Sequence, residues 1–185
     1  MTTPQPGDFF VQRTTTTNWR DQIMAHIIQW GTASNVNHAG IYIGTIEGTP
    51  TIVEARPCGA GYAPLTEYLG PNTKWSQGTT IPDQATRQRI THAAINLVGT
   101  PYSWIDCIAV AIAQKRLGHH LDATKPLDQQ PWWYQRIART DRLMCSQLVD
   151  YAYFQAGVHL FDYGRPFGLV SPADLDHVID KGTTT

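Results

Sequence analysis

Residues 144–160, MCSQLVDYAYFQAGVHL, place a reactive side chain at the head of a well-formed helical pattern. Counting on from Cys145, the residues Leu148, Val149, Ala152 and Ala156 recur at intervals of three and four, so one face of a helix is apolar. Gly157 ends the run. A thiol in the first turn of a helix meets unpaired backbone N–H groups and the positive end of the helix dipole, both of which favour the thiolate, the form that acts as a nucleophile. Free cysteine is also among the most buried residue types, so this stretch alone is as compatible with packing as with catalysis. A histidine strand a hundred residues upstream shifts the balance towards chemistry.

That strand is His38-Ala-Gly-Ile-Tyr-Ile-Gly44, β-branched and aromatic, with His38, Gly40 and Tyr42 alternating onto one face. Residues 46–48 form a turn, and TIVEAR at 51–56 returns as the second strand of an antiparallel hairpin. A turn about Ile46 places Glu54 directly across from His38, side chains on the same face and within reach of one another. Pro50 then requires a sheet edge or a bulge. A carboxylate beside an imidazole fixes its tautomer and favours its cation, the orienting role in a nucleophile, base and orienter triad. The competing assignment is a surface glutamate paired with Arg56 or with water.

Around these two segments the chain reads as one α+β domain over 1–185. Residues 8–11 are a strand, and 19–30 a helix in which His26 is a packing residue. Residues 58–70, rich in Gly and Pro, are expected as loop, with Leu65, Tyr68 and Leu69 in one short helical turn. A further strand is expected over 78–81, followed by a helix that starts at Pro82-Asp83 and runs to Val98 with Ile90, Ala93, Ala94 and Leu97 buried. Residues 100–104 bridge to a second apolar helix at 105–117, which contains Cys107. Residues 117–141 have the character of an insertion, with Trp132-Trp133-Tyr134 as a wall or cap near a site. His119, His120 and Asp122 lie within it, but adjacent histidines on a loop lack the i, i+4 spacing of a helical zinc site, so no metal is expected. Ser171-Pro-Ala-Asp174 is a capped helix start.

Composition narrows the classes further. With 42% hydrophobic and 16% charged residues and a net charge of −1, neither a disordered chain nor an electrostatic nucleic-acid binder fits. Three cysteines without C-x-x-C spacing make neither a disulfide framework nor a zinc ribbon, so at least one thiol is expected free. No export signal and no membrane span is visible, which predicts a soluble protein; localisation and oligomeric state are not specified by the sequence.

The chain resembles the permuted papain-like hydrolases of the NlpC type, in particular the YiiX-like branch. The matching segments are Pro6-Gly-Asp-Phe-Phe-Val11, Asn37 to Gly44, Ile52-Val-Glu-Ala-Arg-Pro57, Gly99-Thr-Pro-Tyr102 and Met144-Cys-Ser-Gln-Leu-Val149. In the unpermuted family the cysteine helix precedes the histidine strand, and here it follows. The resemblance implies an antiparallel sheet packed on helices, with Cys145 as nucleophile, His38 as base, Glu54 as orienting residue and Tyr102 near the substrate. Trp104, Asp106 and Cys107 superficially resemble the unpermuted family's motif, but the apolar run after Cys107 has no small polar neighbour, whereas Cys145 is followed by Ser-Gln-Leu-Val. The implied activity is an acyl-enzyme hydrolase without cofactor, acting on a peptide amide such as a peptidoglycan fragment. Lipid or ester acyl chains are the alternative substrates, and a catalytically silent binding module is the alternative class.

Overall fold

The computed structural model describes residues 3–13, 35–77, 81, 83–103, 141–161 and 170–182. The helices expected at 19–30 and 105–117, the strand at 78–81 for all but Ile81, nearly all of the 117–141 insertion with its aromatic triplet and histidines, and Trp104 and Cys107 lie outside them.

Five strands make one antiparallel sheet. They are β1 (Phe9–Gln12), β2 (His38–Ile46), β3 (Thr49–Arg56), β4 (Gly59–Pro64) and β5 (Thr73–Trp75), in the spatial order β4-β3-β2-β1-β5. A 3-10 helix, Leu65–Tyr68, follows β4, as the short helical turn expected there. Three α-helices are described: α1 (Gln84–Asn96), α2 (Cys145–Gln155) and α3 (Pro172–Gly182).

Strand alternation divides the apolar residues into two layers. Phe9, Val11, Ala39, Ile41, Ile43, Val53 and Ala55 face α1 and α2 and form the main core with Ile90, Ala94, Leu148, Val149 and Ala152. Phe10, Ile52 and Ala63 point the other way and pack against Leu65 and Tyr68, with Tyr42 and Trp75 at the margin. Each layer excludes water from one side of the sheet, so central strands β2 and β3 are shielded on both faces.

The hairpin departs from its expected register. Glu47 and Gly48 both have positive φ, 48° and 80°, and form the tip, since Ile46 pairs with Thr49. Such a two-residue turn matches the right-handed twist of the strands. Glu54 therefore lies opposite Gly40, not opposite His38. The shift is of two residues, so the face is kept and His38 remains a diagonal neighbour of Glu54. Pro50 meets the first of the two alternatives set for it, since β4 pairs with β3 only from Thr51 onward; the register shift lies further in, between Tyr42 and Gly44.

A segment expected to be loop is a strand. Residues 59–64 pair with β3 along their whole length despite their Gly and Pro content. As the sheet edge, β4 tolerates Pro64 at its end. Residues 73–75 close the opposite edge against β1. Helix α1 is capped by Asp83, whose carboxylate accepts from Thr86 N–H at 2.6 Å. Helix α3 is capped reciprocally: Ser171 N–H donates to Asp174 at 2.8 Å, and Asp174 N–H to Ser171 Oγ at 3.3 Å.

Candidate active site

Helix α2 carries Cys145 as its first residue, and its neighbours hold the helix start in place. The backbone N–H of Met144 donates to Gln147 Oε1 at 2.9 Å, the return half of a capping box. Ser146, fully buried, donates its hydroxyl to the carbonyl of Val170 at 2.7 Å. At the far end Gly157 N–H bonds Phe154 O, and Tyr153 reaches the carbonyl of Gly7 at 2.5 Å, which ties α2 to the start of the chain. The Cys-Ser-Gln sequence thus has a structural logic beyond the thiol: the two residues after it anchor the turn that presents it.

His38 is the first residue of β2, and its imidazole Nε2 is in close contact with Glu54 Oε2. Cys145 is the ring's other polar neighbour and acts on it as a hydrogen-bonding group. With Nε2 engaged by the carboxylate, Nδ1 is the nitrogen left for the sulfur. Burial opposes charge on the ring, but the bond to Cys145 and the bond and charge of Glu54 outweigh it and push His38 up to about 10. The three side chains come from different elements, β2, β3 and the N-terminus of α2, and they meet at the end of the strand.

Glu54 is almost fully buried, and its carboxylate is tied on every side. Oε2 accepts the Tyr68 hydroxyl at 2.6 Å besides facing His38, and Oε1 faces Arg56 Nε at 2.5 Å. Arg56 Nη2 in turn donates to Tyr68 Oη at 2.7 Å and to Glu67 at 3.0 Å. Burial would raise the pKa of Glu54, yet His38 first, then Tyr68 and Arg56, hold it below the usual carboxylate range. Burial and the charge of Glu54 push the Tyr68 hydroxyl well above its ordinary value, so it stays a donor. The expected His38 and Glu54 pair and the competing pairing with Arg56 are therefore both present on one carboxylate.

The sequence places Tyr68 only in a short helical turn, and its position behind Glu54 comes from the structure. The sequence signal for it is weak: β4 must first be recognised as a strand before the chain is seen to return residues 65–68 to β3. Aromatic packing sets the floor of this pocket. Phe10 lies 4.4 Å from Tyr68 and 5.9 Å from His38 between ring centroids, and it crosses the bare Cα of Gly40, where an added Cβ would come within 2.8 Å of the ring.

Tyr102 lies half-buried on a segment that pairs in parallel with Leu143, two residues before the thiol. Leu143 N–H bonds the carbonyl of Pro101 at 3.0 Å, which brings the Gly-Thr-Pro-Tyr backbone beside the approach to Cys145. Among the described residues, no group of three His, Cys, Asp or Glu side chains is arranged to hold a metal ion. No helix among them is long and apolar enough to cross a membrane.

A buried Cys, His and Glu joined at the head of a helix and the end of an antiparallel sheet define a papain-like arrangement. The chain belongs to the permuted papain-like amidase family YaeF/YiiX, the C92 family, whose model matches residues 4–107, more than half its length. The match contains His38, Glu54 and Tyr102 and stops short of Cys145. Among solved structures, the chain is similar to the metalloprotein yiiX from Escherichia coli O157:H7, with 19% sequence identity over 86% of this chain and 70% of that one, at a TM-score of 0.55. That likeness supports the fold. No curated protein matches the chain.

Proposed function

We propose that the protein is a cysteine hydrolase of the permuted NlpC type that cleaves an amide through an acyl-enzyme, with Cys145 as nucleophile, His38 as base and Glu54 as the orienting residue. The observation that carries this reading is the continuous contact from Cys145 to His38 to a buried, multiply bonded Glu54. His38, raised to about 10, holds the proton taken from the thiol, and the Cys145 thiolate attacks the carbonyl carbon. The amides of Cys145 and Ser146, first-turn donors without intrahelical acceptors, face the oxyanion of the tetrahedral intermediate. The imidazolium then protonates the leaving amine. Water, deprotonated by the same ring, releases the acyl group and restores the thiol. Tyr102, alongside this segment, contacts the substrate.

A peptide amide, such as the stem peptide of a peptidoglycan fragment, is the proposed substrate. Mass spectrometry after incubation with muropeptides and, separately, with phospholipid vesicles tests it. Cleaved stem peptides supported by loss of turnover in Cys145→Ala and His38→Ala bear the proposal out. Fatty-acid release with intact muropeptides reassigns the substrate to lipid acyl chains, and no turnover of either by a folded protein favours a binding module.

A further inference from the structure

Behind Glu54 the hydrogen bonds have a direction that the atoms themselves impose. Guanidinium nitrogens only donate, so Tyr68 Oη accepts from Arg56 Nη2 and its single proton is free for Glu54 Oε2, 2.6 Å away. Oε1 faces a second pure donor, Arg56 Nε, at 2.5 Å. Both carboxylate oxygens are thereby committed as acceptors, and the contact between Oε2 and His38 requires the proton to sit on Nε2. In the neutral ring Nδ1 is then the lone-pair nitrogen, turned to Cys145.

We propose that Tyr68 and Arg56 are positioning residues that keep Glu54 an acceptor and so hold His38 in the one tautomer able to take a proton from Cys145. The inference rests on the triad reading above. Tyr68 suits the task because its ring cannot wander: it is buried against Phe10, within a 3-10 helix anchored by Leu65. Arg56 is half-exposed and also bound to Glu67, so it links the buried carboxylate to the surface. The groups facing the carboxylate are His38 from β2, Arg56 from β3 and Tyr68 from the 3-10 helix, with Cys145 beyond the imidazole and Glu67 beyond the guanidinium.

The alternative is that Tyr68 and Arg56 merely clamp the 3-10 helix to β3, in which case their loss lowers stability and leaves His38 untouched. Ring-nitrogen NMR of histidine-labelled full-length protein separates the two, with His38 assigned by His38→Gln. In the wild type, the ring holds its proton on Nε2 as the second proton leaves. Tyr68→Phe keeps the ring packing and removes one bond, so the imidazolium midpoint should fall by about half a unit to one unit and the tautomer should become mixed. Arg56→Gln should act in the same direction, and Arg56→Lys, which keeps charge, should restore part of the midpoint. A folded Tyr68→Phe protein with unchanged midpoint and tautomer overturns the inference. The readout needs no turnover, so a protein that hydrolyses neither substrate would count against the hydrolase reading while this test still decides the tether.

Discussion

Glu54→Gln removes the charge at the centre of the network while nearly keeping its shape. The carboxylate faces three donors: His38 Nε2 and Tyr68 Oη at Oε2, and Arg56 Nε at Oε1. A glutamine amide offers one oxygen and one NH2 group, so whichever way it turns, a donor meets a donor in a buried site. Breaking one partner of a buried ion pair costs about 3–5 kcal/mol. For a chain of this length that corresponds to a fall in Tm of roughly 10 °C. The pH dependence should change as well. His38 is raised from 6.5 to about 10 in the folded protein, so its contribution is full below the unfolded value and lost as pH rises through about 10. The depressed Glu54 contributes above the unfolded carboxylate value, and that contribution is lost as pH falls through its folded value. The two overlap in the His38 and Glu54 contact and are counted once; the whole shift of His38, to which Cys145 also contributes, is worth on the order of 4–5 kcal/mol at the plateau. Thermal melts from pH 5 to 10 should show the wild type weakening above neutrality. Glu54→Gln should show a smaller total alkaline loss, over a narrower pH window, because only the contribution of Cys145 to the raised His38 remains. A variant that melts like the wild type near pH 6.5, or keeps the full extent of the alkaline loss, would refute the assignment of Glu54 to this pair.

Three further outcomes follow from the packing. Gly40→Ala drives a methyl to 2.8 Å from Phe10 and 2.9 Å from the fixed carbonyl of Val53, so it should cost about 1–3 kcal/mol in denaturant titration. Asp8→Ala should cost about 3–5 kcal/mol by the same measurement, since it strands the largely buried Arg87 guanidinium that Asp8 holds at 2.9 Å. Glu47→Asn places a residue that favours positive φ at a hairpin tip where φ is 48°, and should raise stability by about 0.4–1 kcal/mol, read as a higher denaturant midpoint with unchanged slope.

What the sequence revealed depended on whether local chemistry or tertiary pairing decided each element. The stripe Leu148, Val149, Ala152 and Ala156 is buried as its spacing requires, and Asp83 and the Ser171 to Asp174 pair cap the helices whose starts they marked. The faces of β2 were legible too, because alternation fixes face irrespective of register. Register itself was not: glutamate at position 47 gives no hint of a left-handed turn, and a turn centred on Ile46 falls short of the observed tip at Glu47 and Gly48. Strand β4 was hidden because its Gly and Pro content signals loop, while backbone pairing with β3 determines its conformation. The same concealment removed Tyr68 from view, since a tyrosine inside a presumed loop has no reason to meet Glu54. Cys145 and His38 open α2 and β2, the elements whose periodicity the sequence shows, and the structure brings the two residues together.

Competitive alkylation with limiting iodoacetamide near neutral pH, followed by peptide mapping, tests the central claim most directly. Cys58 is exposed and Cys145 is 1% exposed, so simple access predicts that Cys58 reacts first. Activation by His38 predicts the reverse, with Cys145 labelled fastest of the three cysteines and that advantage lost in His38→Ala. Preferential labelling of Cys58 or Cys107 in the folded wild type, with Cys145 inert, would contradict the assignment of Cys145 as the nucleophile.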